Sequence, residues 1–245
     1  MEGPPVRLIA QKLATFKNKR VLKASGNAKI EKEQTQGRVI EDIFPRGKNL
    51  FIQFPDFSLK IHFLMFGSYR INGDKHGASP RLSLICSDGT VNFYNSSVKI
   101  ITNDDVEKLY PEELDIISPH WNPAKALHLT SQVQEQMVCD VLLDQNIFAG
   151  VGNIIKNEAL FMAQIHPLSR VERIPEAQLQ RLVSETRVFS LLFYDVVKQG
   201  DRLTPYLRIY RRRQCPLCES KVAMKKTGER HRMSSFCPSC QVLYQ

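Results

Sequence analysis

Four cysteines in two pairs give the sequence its clearest chemical signal: Cys215-Pro-Leu-Cys218 and Cys237-Pro-Ser-Cys240, with 18 residues between the pairs. Each Cys-x2-Cys turn can offer two thiolates at ~2.3 Å from one metal ion, and two such turns complete a tetrahedron. Four sulfur ligands leave no position open for water. The spacing therefore predicts one structural zinc held by Cys215, Cys218, Cys237 and Cys240, folding a segment too short to build its own core. The segment is also basic. Arg211, Arg212 and Arg213 precede the first pair, and Lys225, Lys226, Arg230, His231 and Arg232 lie between the two. From Lys198 to Arg232 eleven Lys and Arg face three Asp and Glu, which is most of the formal net charge of +9. Such a concentration beside a metal hairpin suits a polyphosphate partner. A zinc ribbon that binds RNA or protein is the competing reading. Cys86 and Cys139 sit among apolar residues and read as packed thiols.

A second signal is the turn Ala149-Gly150-Val151-Gly152-Asn153, which runs into the helical pattern Ile154–Leu160. Glycine permits positive φ and close backbone approach, and Asn153 is a good N-cap. A helix start with free N–H groups attracts anions. Taken alone, the turn only redirects the chain. Beside the basic hairpin it becomes a second phosphate contact. Nearer the N-terminus stand Glu2, Lys48 after Gly47, and Met65 in an apolar strand. By residue type alone these read as a terminal acid, a solvated hairpin lysine and core filler.

The elements that must position these groups differ between the two halves. Val6, Leu8, Ile9, Leu13 and Phe16 have helical spacing, so a first helix covers about Pro4 to Phe16. From about Arg20 to Thr102 the pattern is that of strands, at Leu50–Phe54, Leu59–Phe63, Leu82–Cys86 and Val91–Tyr94, separated by Pro55-Asp56, Asn72-Gly73 and Asp88-Gly89. Short strands at this spacing suggest an antiparallel sandwich or partial barrel. Ser118-Pro119-His120-Trp121-Asn122-Pro123 reads as a linker. Helical signals follow at Val133–Leu143, Ile154–Met162 and Gln178–Val197, and the cysteine module closes the chain. With 42% hydrophobic and 24% charged residues, a disordered chain is excluded. No apolar run approaches the ~18 residues that a membrane span needs. Arg7, Gln11 and Lys12 interrupt any secretory pattern, so a cytoplasmic, nucleoid-associated location is expected.

The stretch Asp144-Gln145-Asn146-Ile147-Phe148-Ala149-Gly150-Val151-Gly152-Asn153-Ile154, with Asn157-Glu158-Ala159-Leu160 and Ile165-His166-Pro167, resembles the helix–two-turn–helix of the formamidopyrimidine-DNA glycosylase / endonuclease VIII family. The cysteine module resembles that family's zinc finger. Arg46-Gly47-Lys48-Asn49-Leu50 is similar to its Gly-Lys hairpin, and Ile61-His62-Phe63-Leu64-Met65-Phe66-Gly67-Ser68 to the strand and loop that follow. The likeness runs in one order from Met1 to Cys240.

The resemblance implies an α+β fold with an N-terminal antiparallel β-sandwich and leading helix over residues 1–122. A helical domain with the helix–two-turn–helix would cover 123–204, and the zinc-finger hairpin 205–245. It implies a monomeric bifunctional glycosylase and abasic-site lyase acting on double-stranded DNA with an oxidised base or abasic site. In the family an N-terminal amine attacks C1′ of a flipped nucleotide and forms an imine, after which elimination nicks the strand. By resemblance Met1 supplies the amine, Glu2 the acid/base carboxylate, and Lys48 a cation beside sugar and phosphate. Met65 would be the wedge that fills the gap, Asn153 a phosphate ligand, and Arg232 the zinc-finger arginine of the second elimination. His62, Lys225 and Arg230 would add DNA contacts.

Three departures qualify these expectations. Met1 stands where the family has a proline nucleophile, Pro5 replaces a usual glutamate, and Tyr94–Ile100 lacks the Arg-Arg-Phe set of the oxidised-purine branch. Glu2-Gly3-Pro4 leans to the endonuclease VIII branch, which prefers oxidised pyrimidines. Because Glu2 is bulky, the initiator Met1 is expected to stay and present a primary amine. Reduced lyase activity is expected, because proline is compact and fixed in φ whereas methionine is neither. The alternative is a weakened or inactive relative that only binds damaged or abasic DNA.

Overall fold

The computed structural model covers residues 1–245. The chain divides into two compact units, Met1 with Pro5–Pro111 and Glu2–Pro4 with Glu112–Gln245. In the first, α1 (Gly3–Leu13) buries Val6, Ile9, Ala10 and Leu13, a stripe at i, i+3, i+4 and i+7. Six strands follow: β1 (Val21–Ser25), β2 (Asp42–Arg46), β3 (Asn49–Gln53), β4 (Phe57–Ile71), β5 (Leu82–Cys86) and β6 (Gly89–Thr102). They form one antiparallel sheet in the order β1-β5-β6-β4-β3-β2. The long strands β4 and β6 run through both halves of the resulting sandwich. Ser68–Ile71 pairs with Val91–Tyr94 beside β5, and Phe57–Phe63 pairs with Ser96–Thr102 beside β3. Between the two stretches the register shifts, across Phe63 to Ser68. The core is continuous, from Leu50, Ile52, Leu59, Ile61 and Phe63 to Leu82, Leu84 and Phe93. The unit ends with α2 (Asn103–Leu109), capped by the Thr102 hydroxyl on the Asp105 N–H.

Two strands escape the alternation argument. In β1 a bulge between Val21 and Lys23 breaks the period of two. β2 carries Pro45, which a sheet tolerates at its edge, where β2 lies.

The second unit holds α3 (Pro123–Gln132), α4 (Val138–Val141), α5 (Asn153–Met162), α6 (Glu176–Gln199) and the hairpin β7 (Ala223–Thr227) with β8 (Arg232–Phe236). Of the helix expected over Val133–Leu143 only the single turn of α4 forms, and the longer helix of this region, α3, ends at Gln132, before that span. Asn122 caps α3 through the Lys125 N–H and Pro123 opens it, a start signal that lay inside the segment expected to be a linker. The 24-residue α6 ends at Gly200 with φ +84°. No helix is long and apolar enough to cross a membrane.

Candidate nucleic-acid interface and metal centre

In the first unit the Met1 amine donates to the Phe63 carbonyl at 3.2 Å, at the end of the regular β4–β6 pairing. Lys48 lies in the two-residue turn between Arg46 and Asn49, where Gly47 takes φ +56°. The β3–β4 register sets Asn49 opposite His62, and the Asn49 Oδ1 lies 3.2 Å from the His62 Nδ1. Burial pushes the His62 imidazole below its ordinary value, and the α-amine, Lys48 and Lys60 push it further the same way. The histidine is thus neutral near pH 7, in a positive field to which amine and lysine both contribute. Met65 is 71% exposed and is not core filler. Tyr94–Ile100 forms part of β6, paired to β4 on either side of the register shift.

In the second unit the Glu2 carboxylate is fixed at the start of α5, accepting from Ile154 N–H at 2.7 Å and Ile155 N–H at 3.3 Å. Gly152 makes this approach possible, because a Cβ there would overlap the Glu2 side chain. Gly3 N–H bonds to the Gly150 carbonyl at 2.9 Å, so the glycine turn holds the entering backbone as well. Two expectations are corrected here. The N-cap of α5 is Gly152, not Asn153. The N–H groups expected to await a phosphate are instead occupied by Glu2, whose negative charge also suits the positive helix end.

Asn153 points elsewhere: its Nδ2 donates to the Met233 carbonyl at 3.0 Å. One turn on, the buried Lys156 Nζ bonds Ser234 Oγ at 2.8 Å and reaches the Met233 carbonyl at 3.4 Å, and Ser235 N–H donates to Asn157 Oδ1 at 2.6 Å. One face of α5 thereby holds β8 of the cysteine hairpin. Burial lowers the Lys156 pKa to about 8, and Arg232 acts in the same direction. The hairpin turn is held by the buried Asp140, which accepts from Glu229 N–H at 2.8 Å and Arg230 N–H at 3.2 Å. Gly228 makes room for that carboxylate. Glu158 collects the N–H groups of Arg208, Ile209 and Tyr210 at 2.8, 3.1 and 2.7 Å. Burial still raises its pKa, against the effect of those three donors.

These contacts leave Lys225, Arg230 and Arg232 exposed on the hairpin. The four cysteine sulfurs lie within 4.8 Å of one another, with neighbouring pairs at 3.3 to 3.8 Å. A tetrahedron with ~2.3 Å bonds has edges of ~3.8 Å, so the donor set fits a single ion. Asp140 and Lys156 have no place in the reading of the sequence, and Asn157 and Glu158 enter it only within the stretch that carries the resemblance, with no role of their own. A Lys-Asn-Glu run within an otherwise apolar helix was the available signal, since charges are rarely buried unless they hold something.

Residues 117–196 match the family model described as the formamidopyrimidine-DNA glycosylase H2TH domain. Endonuclease 8-like 3 of Mus musculus is 40% identical over 84% of this chain and 35% of its own length. The chain spans about a third of the length of the Endonuclease 8-like 3 proteins that it matches. The crystal structure of a viral DNA glycosylase superposes with a TM-score of 0.87 at 25% identity, covering 99% of this chain and all of that one. Lactococcus lactis formamidopyrimidine-DNA glycosylase, noncovalently bound to DNA containing an AP site, gives 0.85 at 20% identity over 98% and 99% of the two chains, a likeness of fold.

Proposed function

The chain belongs to the formamidopyrimidine-DNA glycosylase / endonuclease VIII family, and from that premise we propose that it is a DNA repair glycosylase with abasic-site lyase activity. The observation that carries the reading is the Met1 amine, which is held on the Phe63 carbonyl and acts, together with Lys48, on the His62 ring. In its neutral form an α-amine is nucleophilic and can attack carbon. In the proposed reaction the damaged nucleotide is flipped out and the amine nitrogen bonds to C1′ as the base departs. The Glu2 carboxylate takes the proton that the amine nitrogen loses on bonding to C1′ and passes it to the ring oxygen, which leaves C1′ as the sugar opens to the imine. Loss of a C2′ proton then expels the 3′ phosphate and nicks the strand. Two backbone N–H groups orient the Glu2 carboxylate for this work.

Lys48 stabilises charge at sugar and phosphate. Asn153 has a second amide hydrogen for a phosphate oxygen, because only one is needed for the Met233 carbonyl. Lys225, Arg230 and Arg232 neutralise the backbone, with Arg232 at the phosphate that leaves in the second elimination. Zinc on Cys215, Cys218, Cys237 and Cys240 supplies rigidity and no chemistry, since four thiolates fill its coordination sphere. Double-stranded DNA with an oxidised base or abasic site is the proposed substrate, bound by a monomer.

Borohydride reduction on abasic duplex DNA tests the reading. A covalent adduct mapped by peptide analysis to the α-amine of Met1 is expected, formed more slowly than a proline amine would form it. Inserting Pro between Met1 and Glu2 should then raise the rate. An adduct on Lys48 would move the nucleophile, and binding without any adduct would favour a family member that only recognises damaged DNA.

A further inference from the structure

The end of α5 remote from Glu2 borders a cavity that the proposed reaction does not use. Met162 lies ~14 Å along the helix axis from Asn153, given a rise of ~1.5 Å per residue. There α5, α6 and the first cysteine turn surround an open volume of about 400 Å³, lined by Phe161, Met162, Pro216 and Leu217 together with Arg181 and Arg208. Leu217, within the Cys-x2-Cys turn, is 64% exposed. Phe161 is buried in one cluster with Ile209, Cys215, Val222 and Cys237, so the floor is fixed to the metal module. The backbone of Arg208 is fixed too, because its N–H donates to the buried Glu158 at 2.8 Å, and its exposed side chain lines the cavity. The Arg181 guanidinium meets a carboxylate, that of Glu185, only at 3.8 Å on the exposed side of α6.

An apolar floor beside two guanidinium groups fits an occupant that is apolar and anionic at once. A nucleic-acid backbone is anionic but offers no large apolar group, and Lys225, Arg230 and Arg232, the cations of the DNA reading, are not among the lining residues. Aromatic, methionine and arginine side chains without lysine are instead the composition of a protein-binding patch. Arginine also pairs with a carboxylate through two parallel N–H donors. We propose that this cavity binds an acidic segment of a partner protein, which seats one large apolar side chain between Met162 and Leu217 and sets flanking carboxylates on Arg181 and Arg208. The fixed floor suits such a role, because a preformed site loses little freedom on binding. Glu2 and Asn153 stand at the opposite end of α5, so the partner leaves them accessible. The inference is independent of catalysis.

Three fluorescent pools of short peptides test it: one Leu or Phe among Asp and Glu, the same apolar residues among Lys, and Ser among Asp and Glu. A net charge of +9 attracts any polyanion, so the need for the apolar residue and the place of binding decide. The first pool should bind the wild type about tenfold more tightly than either of the others, since only it satisfies both the floor and the guanidinium groups. With isotope-labelled methionine methyls, the Met162 NMR signal should move on binding while those of Met65 and Met233 stay. Replacing both arginines, Arg181→Glu with Arg208→Glu, should weaken the first pool about tenfold and strengthen the Lys pool. Leu217→Ala should cost about fivefold at unchanged zinc content. A short DNA duplex should not displace the peptides. Binding that ignores the apolar residue, that ignores these substitutions, or that leaves Met162 unmoved would overturn the proposal. Displacement by the duplex would do so as well, and would make the cavity part of the nucleic-acid surface.

Discussion

In the first unit the groups of interest stand on the turns of a regular sheet with an apolar core. The Met1 amine donates to the Phe63 carbonyl, Lys48 lies in a two-residue turn, and the charges of both lower the His62 pKa, against a hydrogen bond with the Lys48 backbone that raises it. The second unit holds its surface by buried polar groups. Asp140 fixes the hairpin turn, Lys156 and Asn157 fix β8, Glu158 fixes Arg208 to Tyr210, and Glu2 closes the start of α5. A sheet already satisfies its backbone and can carry charges on its turns. A hairpin turn, the segment Arg208–Tyr210 and a helix start leave N–H groups without backbone partners, and the Asp140, Glu158 and Glu2 carboxylates accept from them. A substitution among the polar groups of the second unit should therefore change stability, and one among those of the first should change charge.

The largest expected effect tests that division at the metal. Purified protein should hold about one zinc, and Cys237→Ser should lose it, together with at least ~100-fold of DNA affinity at moderate salt. Amide exchange in β3 and β4 should stay protected in the variant. Exchange that collapses in both units at once would mean that the units do not respond separately.

Next comes Lys156. Its native pKa of about 8 lies below the ordinary 10.5, so between those values the unfolded chain holds a proton that the native one does not. Stability should then rise with pH across that window, by up to ~3 kcal/mol. Lys156→Met should remove the rise. Urea unfolding of both proteins near pH 7.5 and near pH 10 measures it, and parallel pH profiles would show that the ammonium pays no burial penalty.

The smallest effect belongs to the first unit. Lys48 is one of the cations that lower the His62 pKa, so Lys48→Met should move the imidazole titration upward, as followed by NMR. The melting temperature should hardly move. A clear loss of stability would show that Lys48 is bound into the sheet as firmly as Lys156 is into its helix.

What the sequence determined by itself is whatever is encoded locally. Cys-x2-Cys spacing names a metal site without any fold, and the stripe Val6, Ile9, Leu13 needs only helical periodicity. A strand such as β5 is legible from its short apolar run, since nearly all of it is buried. The resemblance added Glu2, Lys48 and Met65, which local reading would have set aside. Tertiary structure decided the rest, because these groups find their partners far along the chain. Glu2 meets Ile154, Asp140 meets Arg230, and Lys156 meets Ser234. It also decided that Gly152, rather than Asn153, caps α5, because a carboxylate delivered from the N-terminus displaced the local cap. Positive φ at Phe66 belongs to the same class. No local preference puts phenylalanine there, and only the opposing strand, through Asn95, holds it.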